Sequence, residues 1–151
     1  MKNVFSENDV QEIIERINML KPSTERLWGK MTVSQMLAHC NVNYEIVYEP
    51  GKHPKPRGLM KWMINLMAKS TVVGNTPYKK NLQTAPFFII KEEKDFETEK
   101  ARLIHYIKQT QELGENYFDG KESHTFGVLN KTEWNNLFYK HLDHHLRQFG
   151  V

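Results

Sequence analysis

Apolar residues recur at helical spacing in four long stretches of the chain. From about Ser6 to Leu20, the residues Val10, Ile13, Ile14, Ile17 and Leu20 fall on one face, and Pro22 ends the run. Ser6 with Asp9 gives this stretch a capping-type start. A second run begins at Thr32, whose partner Gln35 completes a capping-box pattern. It passes through Met36, His39, Val42 and Ile46 and stops before Pro50-Gly51. A third starts near Asp95, sets Phe96, Leu103, Ile104 and Ile107 on one face, and ends at Gly114. The fourth opens with Asn130 and Glu133, again a capping-box pair, and runs to Phe149. No strand pattern, repeat or heptad series is convincing. The pattern predicts one all-α domain over residues 1–151, built as a four-helix bundle.

The link from Gly51 to Lys94 is too long to be a simple turn. Within it, Gly58 to Lys69 reads as an extra short helix, and Pro54, Pro56, Pro77 and Pro86 break the rest. Phe87 to Ile90 is a short apolar run suited to packing as an extended piece over the bundle. Charge singles out the same stretch. Between Gly51 and Ile90 there is no acidic residue, against Lys52, Lys55, Arg57, Lys61, Lys69, Lys79 and Lys80. The overall +3 therefore conceals 14 basic and 18 acidic side chains elsewhere, a net −4.

Such a stretch attracts anions, lipid headgroups or nucleic acid, or is simply a solvated connector. No nucleic-acid recognition motif accompanies it, so nucleic acid is not an expected partner. Leu59, Met60, Trp62, Met63, Ile64, Leu66 and Met67, beside Lys61 and Lys69, have the makings of an interfacial membrane helix. A lid over the bundle or a dimer contact is the preferred reading, and membrane contact is not expected.

Composition adds the compartment. The chain is 39% hydrophobic and 26% charged, ordinary values for a soluble globular protein. No apolar run approaches the length of a membrane span, and the opening MKNVFSENDV has no leader-like apolar core. The single cysteine, Cys40, excludes an internal disulfide framework. The expected location is the cytoplasm.

The last helix carries the strongest chemical signal. At ~100° per residue, His145 lies only ~40° around the helix from His141, on the side of Trp134, Leu137, Phe138 and Phe149. Gln148 shares this face. Two buried imidazoles side by side are costly unless something satisfies them, and a divalent metal does so well. The competing reading is a hydrogen-bonded core pair. A third ligand candidate decides between them: His39, in the second helix, points inward with Met36, Val42 and Ile46.

Height along the helices agrees. His39 lies ~10 Å into the second helix, while His141 and His145 lie ~12 and ~6 Å from the end of the last one. The three rings share one level only if these two helices run antiparallel. A three-histidine metal site therefore requires an up-down-down-up bundle, with the second and third helices parallel and the long link as crossover. His144 sits at the edge of the buried face; a flanking, partly exposed side chain is the preferred reading, with a replacement ligand or a base beside the metal as the alternatives. His124 suits closure over the site or a loop role equally. His105 reads as a surface residue, His53 gives no signal, and Cys40 packs rather than reacts.

Several stretches carry a family likeness. Trp28-Gly29-Lys30-Met31-Thr32 with Gln35-Met36-Leu37-Ala38-His39, and Asn81-Leu-Gln-Thr84-Ala-Pro86-Phe87, resemble a DinB-like (YfiT-like) subfamily of metal-dependent proteins classed as a domain of unknown function. The most specific match is Phe126-Gly127, Glu133-Trp134 and His141-Leu-Asp-His144-His145-Leu-Arg-Gln148-Phe149-Gly150. The resemblance implies an up-down-down-up bundle, often dimeric, in which His39, His141 and His145 bind zinc, nickel or a similar ion. Thr125 departs from the proline that relatives tend to have there, which weakens any role for His124.

Some DinB-like relatives transfer low-molecular-weight thiols, and others are described as metal-dependent hydrolases. Three neutral imidazoles leave an ion dicationic with an open position, able to supply hydroxide or to hold a thiolate. The leading expectation is a metal-dependent transferase acting on a small-molecule substrate with a small thiol. A hydrolase and a non-catalytic metal- or ligand-binding bundle are the alternatives. Gln148 would orient a ligand from behind, and His144 and Lys30 are candidate acid–base or anion contacts. No carboxylate is placed on the buried arc as a general base, which counts against hydrolysis.

Overall fold

The computed structural model describes all residues, Met1–Val151, and is mostly helical. Helix α1 spans Glu7–Met19, α2 Val33–Tyr48, α3 Gly58–Val73, α4 Phe96–Leu113, α5 Glu115–Phe118 and α6 Lys131–Gln148. Two short strands, β1 (Lys121–Ser123) and β2 (Gly127–Leu129), pair antiparallel with Glu122 opposite Val128. No helix is long and apolar enough to cross a membrane.

Both expected capping boxes form. The Gln35 amide donates to Thr32 Oγ1 (3.2 Å) while the Thr32 amide donates to Gln35 Oε1 (3.0 Å). Asn130 and Glu133 exchange the same pair of bonds at the start of α6 (2.9 and 3.0 Å). These bonds satisfy donors that a helix start leaves open, each cap worth ~1 kcal/mol. At α1 the expectation is corrected. Ser6 is the N-cap by backbone position, yet its side chain caps nothing, and Asp9 instead accepts from the Asn3 amide (2.7 Å). Helix α4 starts on Asp95, whose carboxylate accepts from the Thr98 amide (2.8 Å), and stops at Gly114 with φ +73°.

Side-chain bonds between helices fix their directions. Asn43 Nδ2 donates to the Leu137 carbonyl (3.3 Å), while His39 meets His141. Moving forward along α2 thus means moving backward along α6, so the two are antiparallel. Asn41 reaches Glu99 and Tyr48 reaches Thr110 (2.7 Å), which makes α2 and α4 parallel. Arg16 pairs with Asp143 (2.9 Å), and the Val4 amide donates to Asn135 (2.8 Å), so the N-terminal segment through α1 tracks α6 in the same sense. The core between them includes Ile13, Ile17, Met36, Leu37, Leu103, Ile107, Phe138 and Leu142, all essentially inaccessible. Each such side chain contributes roughly 1.5–3 kcal/mol by leaving water.

The crossover departs from expectation in two ways, and the connection from α4 to α6 in a third. Helix α3 runs to Val73, about a turn beyond Lys69, before Gly74. Pro86–Phe88 forms a single 3-10 turn rather than an extended piece, with Pro86 supplying the fixed φ of the first position. The β1–β2 hairpin and α5 were not expected. Strands of three residues are too short to show alternation, and Gly127 at φ +74° opens β2.

A charged cluster between α2 and α4 was also outside the sequence reading. Glu45 is 5% exposed and accepts from His53 (2.7 Å), Lys52 (2.8 Å) and Arg102. Arg102 also bridges to Glu99 (2.9 Å), and Tyr106 donates to Glu49. Burial alone would raise the Glu45 carboxyl. Hydrogen bonds from Lys52, His53 and Arg102 outweigh it and hold the group below the usual carboxylate value.

Candidate metal centre

Helices α2 and α6 bring His39, His141 and His145 to one point. One ring nitrogen from each lies within 4.8 Å of the others. His39 is 3% exposed and His145 7%. The rings pack at 4.6–4.8 Å between centroids, and His141 Nε2 lies 2.9 Å from His39 Nε2. One helical turn separates His141 from His145, and the antiparallel pairing lifts His39 to their level.

Two of the three rings are oriented from behind. His39 Nδ1–H donates to the Phe88 carbonyl (2.8 Å), and His145 Nδ1–H donates to Gln148 Oε1 (2.8 Å). Gln148 is itself fixed, because its Nε2 donates to the Trp28 carbonyl (2.7 Å). With each proton on Nδ1, both Nε2 atoms carry bare lone pairs, the tautomer a metal needs. Gly29, at φ +84°, makes this possible: a Cβ there would stand 2.3 Å from Gln148 Nε2. His141 has no such support. Its Nδ1 is buried without a hydrogen-bond partner, so its only polar contact is inside the cluster.

The charge state fits as well. Burial lowers the pKa of His39, drives His141 well below the ordinary histidine value, and takes His145 to about 3. All three imidazoles are neutral at pH 7, the form in which imidazole binds a metal. Two Nε2 lone pairs fixed from behind, with the His141 ring converging on them, suit a divalent cation that takes the place of the proton between His141 and His39. Zinc and nickel both accept such a set.

The remaining candidates sit further out. His144 is half-buried between Trp28 (6.0 Å) and Tyr78 (5.7 Å), with its ring 5.0 Å from His145. It lines a cleft of about 380 Å³ together with Trp28, Tyr78, Lys80 and Lys140. Lys30 is exposed and forms no hydrogen bond or ion pair with the three histidines or their supports. His124 lies in the hairpin turn, bonded to Thr125 (3.3 Å) and the His53 carbonyl (3.4 Å), and takes no part in the cluster. His105 is exposed, and burial pushes the Cys40 thiol up, leaving it unreactive.

Sequence reasoning missed Phe88 and Trp28 as supports, since both act through backbone carbonyls that any residue could supply. Phe88 also packs its ring on His39 (5.3 Å) and His141 (5.6 Å), covering the cluster from the crossover side. Pro86 and the Phe87-Phe88 pair are the local signal that a turn stops there.

No curated protein and no solved structure matches the chain. One family model does, over residues 3–150, a span that holds the three histidines together with Trp28, Phe88 and Gln148. The chain thus belongs to the family described as a protein of unknown function, DUF1569.

Proposed function

We propose that this chain is a DinB-like metalloprotein that transfers a small thiol onto an electrophilic substrate. The observation that carries the reading is the pair of bare Nε2 lone pairs on His39 and His145, set by Phe88 and Gln148 and completed by His141. In this reading α1, α2, α4 and α6 form an up-down-down-up four-helix bundle. The opposed run of α2 and α6 and the parallel run of α2 and α4 support that topology.

His39, His141 and His145 would hold zinc or nickel. Such an ion lowers the pKa of a thiol presented to it, so that thiolate is available at neutral pH. The chain's own residues do the rest. Gln148 keeps His145 in register through Trp28. The cleft beside His144 offers Trp28 and Tyr78 as apolar walls for the electrophile. His144 would take the thiol proton as the thiolate forms, and the electrophile's leaving group would depart with its electron pair as the carbon–sulfur bond forms. A reducing cytoplasm, which the buried free Cys40 suits, supplies the thiol.

Hydrolysis is the weaker reading. The buried carboxylates Glu45 and Glu99 are committed to Arg102 and its neighbours, and Asp143 is held by Arg16 and Arg147. The test is loss of cysteine thiol in the presence of an alkyl halide by zinc- or nickel-loaded protein. Turnover is expected with the native chain and absent with His141→Ala. Ester or amide hydrolysis without thiol loss moves the assignment to hydrolase. A bound metal with neither activity leaves a metal-binding bundle.

A further inference from the structure

The cleft beside His144 carries a charge that the three-histidine cluster does not use. Its lining holds Lys80, Lys140 and Arg147 against a single carboxylate, Asp143. That carboxylate is engaged within the chain, paired with Arg16 and with Arg147 Nε (both 2.9 Å). Lys140 is engaged as well. Its ammonium donates to the carbonyls of Thr71 and Gly74 (both 2.6 Å) and of Val72 (3.4 Å), so it lends the cleft its charge and no free N–H.

Lys80 differs. It forms no ion pair, and its ammonium lies over the Trp28 ring, 4.4 Å from the centroid. The face of the indole attracts the cation through its quadrupole and leaves the N–H groups without an oxygen acceptor. Arg147 bonds Asp143 through Nε, and with its side chain 68% exposed its terminal amines are open too. A cleft with two uncommitted cationic donors and no free carboxylate attracts an anion.

The walls specify the rest of the ligand. Trp28 and Tyr78 stand at a steep angle to the His144 ring (65° each) and, with Pro77, give the cleft flat apolar sides. The volume of about 380 Å³ lies toward the low end of the roughly 300–1,000 Å³ usual for small-molecule sites. We propose that the cleft takes a planar apolar molecule bearing a carboxylate, with the acid group bound by Lys80 and Arg147. The inference rests on the transfer reading for the ligand's role as electrophile, whereas the binding itself does not. Lys30 does not line the cleft, so the anion contact expected of it falls to Lys80.

Isothermal titration of the full chain with naphthoate and with the neutral naphthamide tests the binding. The acid should bind about fivefold more tightly, as suits a charge-assisted contact at a partly open site. The double variant Lys80→Gln/Arg147→Gln should abolish that preference and leave naphthamide affinity unchanged. Trp28→Leu should weaken both ligands, its main-chain carbonyl still holding Gln148. Equal affinity for the two probes overturns the inference, as does no binding of either. Naphthoate binding that survives the double variant yet is lost in His141→Ala would put the carboxylate on a metal, and overturns it too. Turnover separates this inference from the transfer reading. Loss of cysteine thiol with equal kcat/KM for benzyl chloride and chloromethylbenzoate keeps transfer and removes the acid site. A preference for naphthoate with no thiol loss keeps the acid site and removes transfer.

Discussion

Helix α2 contributes to two buried polar clusters of opposite character. Near its C-terminal end, Glu45 meets Lys52, His53 and Arg102, and every carboxylate oxygen finds a donor from the chain. Near its middle, His39 meets His141 and His145, and the chain provides lone pairs without the charge to match them. The first cluster is complete as a fold element. In the proposed reading, the second becomes complete only with something from outside. Burial is equal in kind at both places, so it is the balance of donors and acceptors that separates a structural cluster from a binding one.

The largest expected effect breaks the unbalanced side. His141→Ala should take bound metal from about one equivalent to below a tenth per chain by elemental analysis, with the helical signal retained. A metal content equal to that of the native protein would show that the three rings hold no ion. Next comes the balanced side. Glu45→Ala takes the shared acceptor from His53, Lys52 and Arg102 and should cost about 2–3 kcal/mol in urea unfolding, with metal content unchanged. If Glu45→Ala also empties the site, the two clusters are not separable.

Smaller still, Gln148→Leu removes the acceptor behind His145. It should weaken zinc binding about 10- to 100-fold in competition with a chelator, while unfolding in the apo state changes less. The smallest effect is a pH difference. Because the folded Glu45 carboxyl sits below its unfolded value near 4.5, its contribution is present above that value and is lost as pH falls through the folded one. The native chain should therefore lose stability faster than Glu45→Gln below pH 4.5, and parallel curves would show that the carboxylate contributes nothing.

What the sequence revealed follows from range. Thr32 with Gln35 and Asn130 with Glu133 are local patterns, and both form as read. His141 and His145 share a face because of helical period alone, and His39 joins them by a height argument that needs only the direction of α2 against α6. The Glu45–Arg102 pair had no such signal, since it depends on how α2 lies along α4. The apolar repeat of α3 was visible, yet period fixes only that a helix has an apolar side, not which way that side turns. Three-residue strands leave no periodic trace at all.

Gly29 gives the metal centre an unexpected dependence. The backbone there lies so close to the Gln148 amide that one added methyl would push the carboxamide off Trp28, and with it the partner that holds the His145 proton on Nδ1. A residue in a loop, touching none of the three imidazoles, thus governs which nitrogen of one of them is turned toward the other two. The tautomer of a ligand on the last helix is written in an absent side chain ahead of the second.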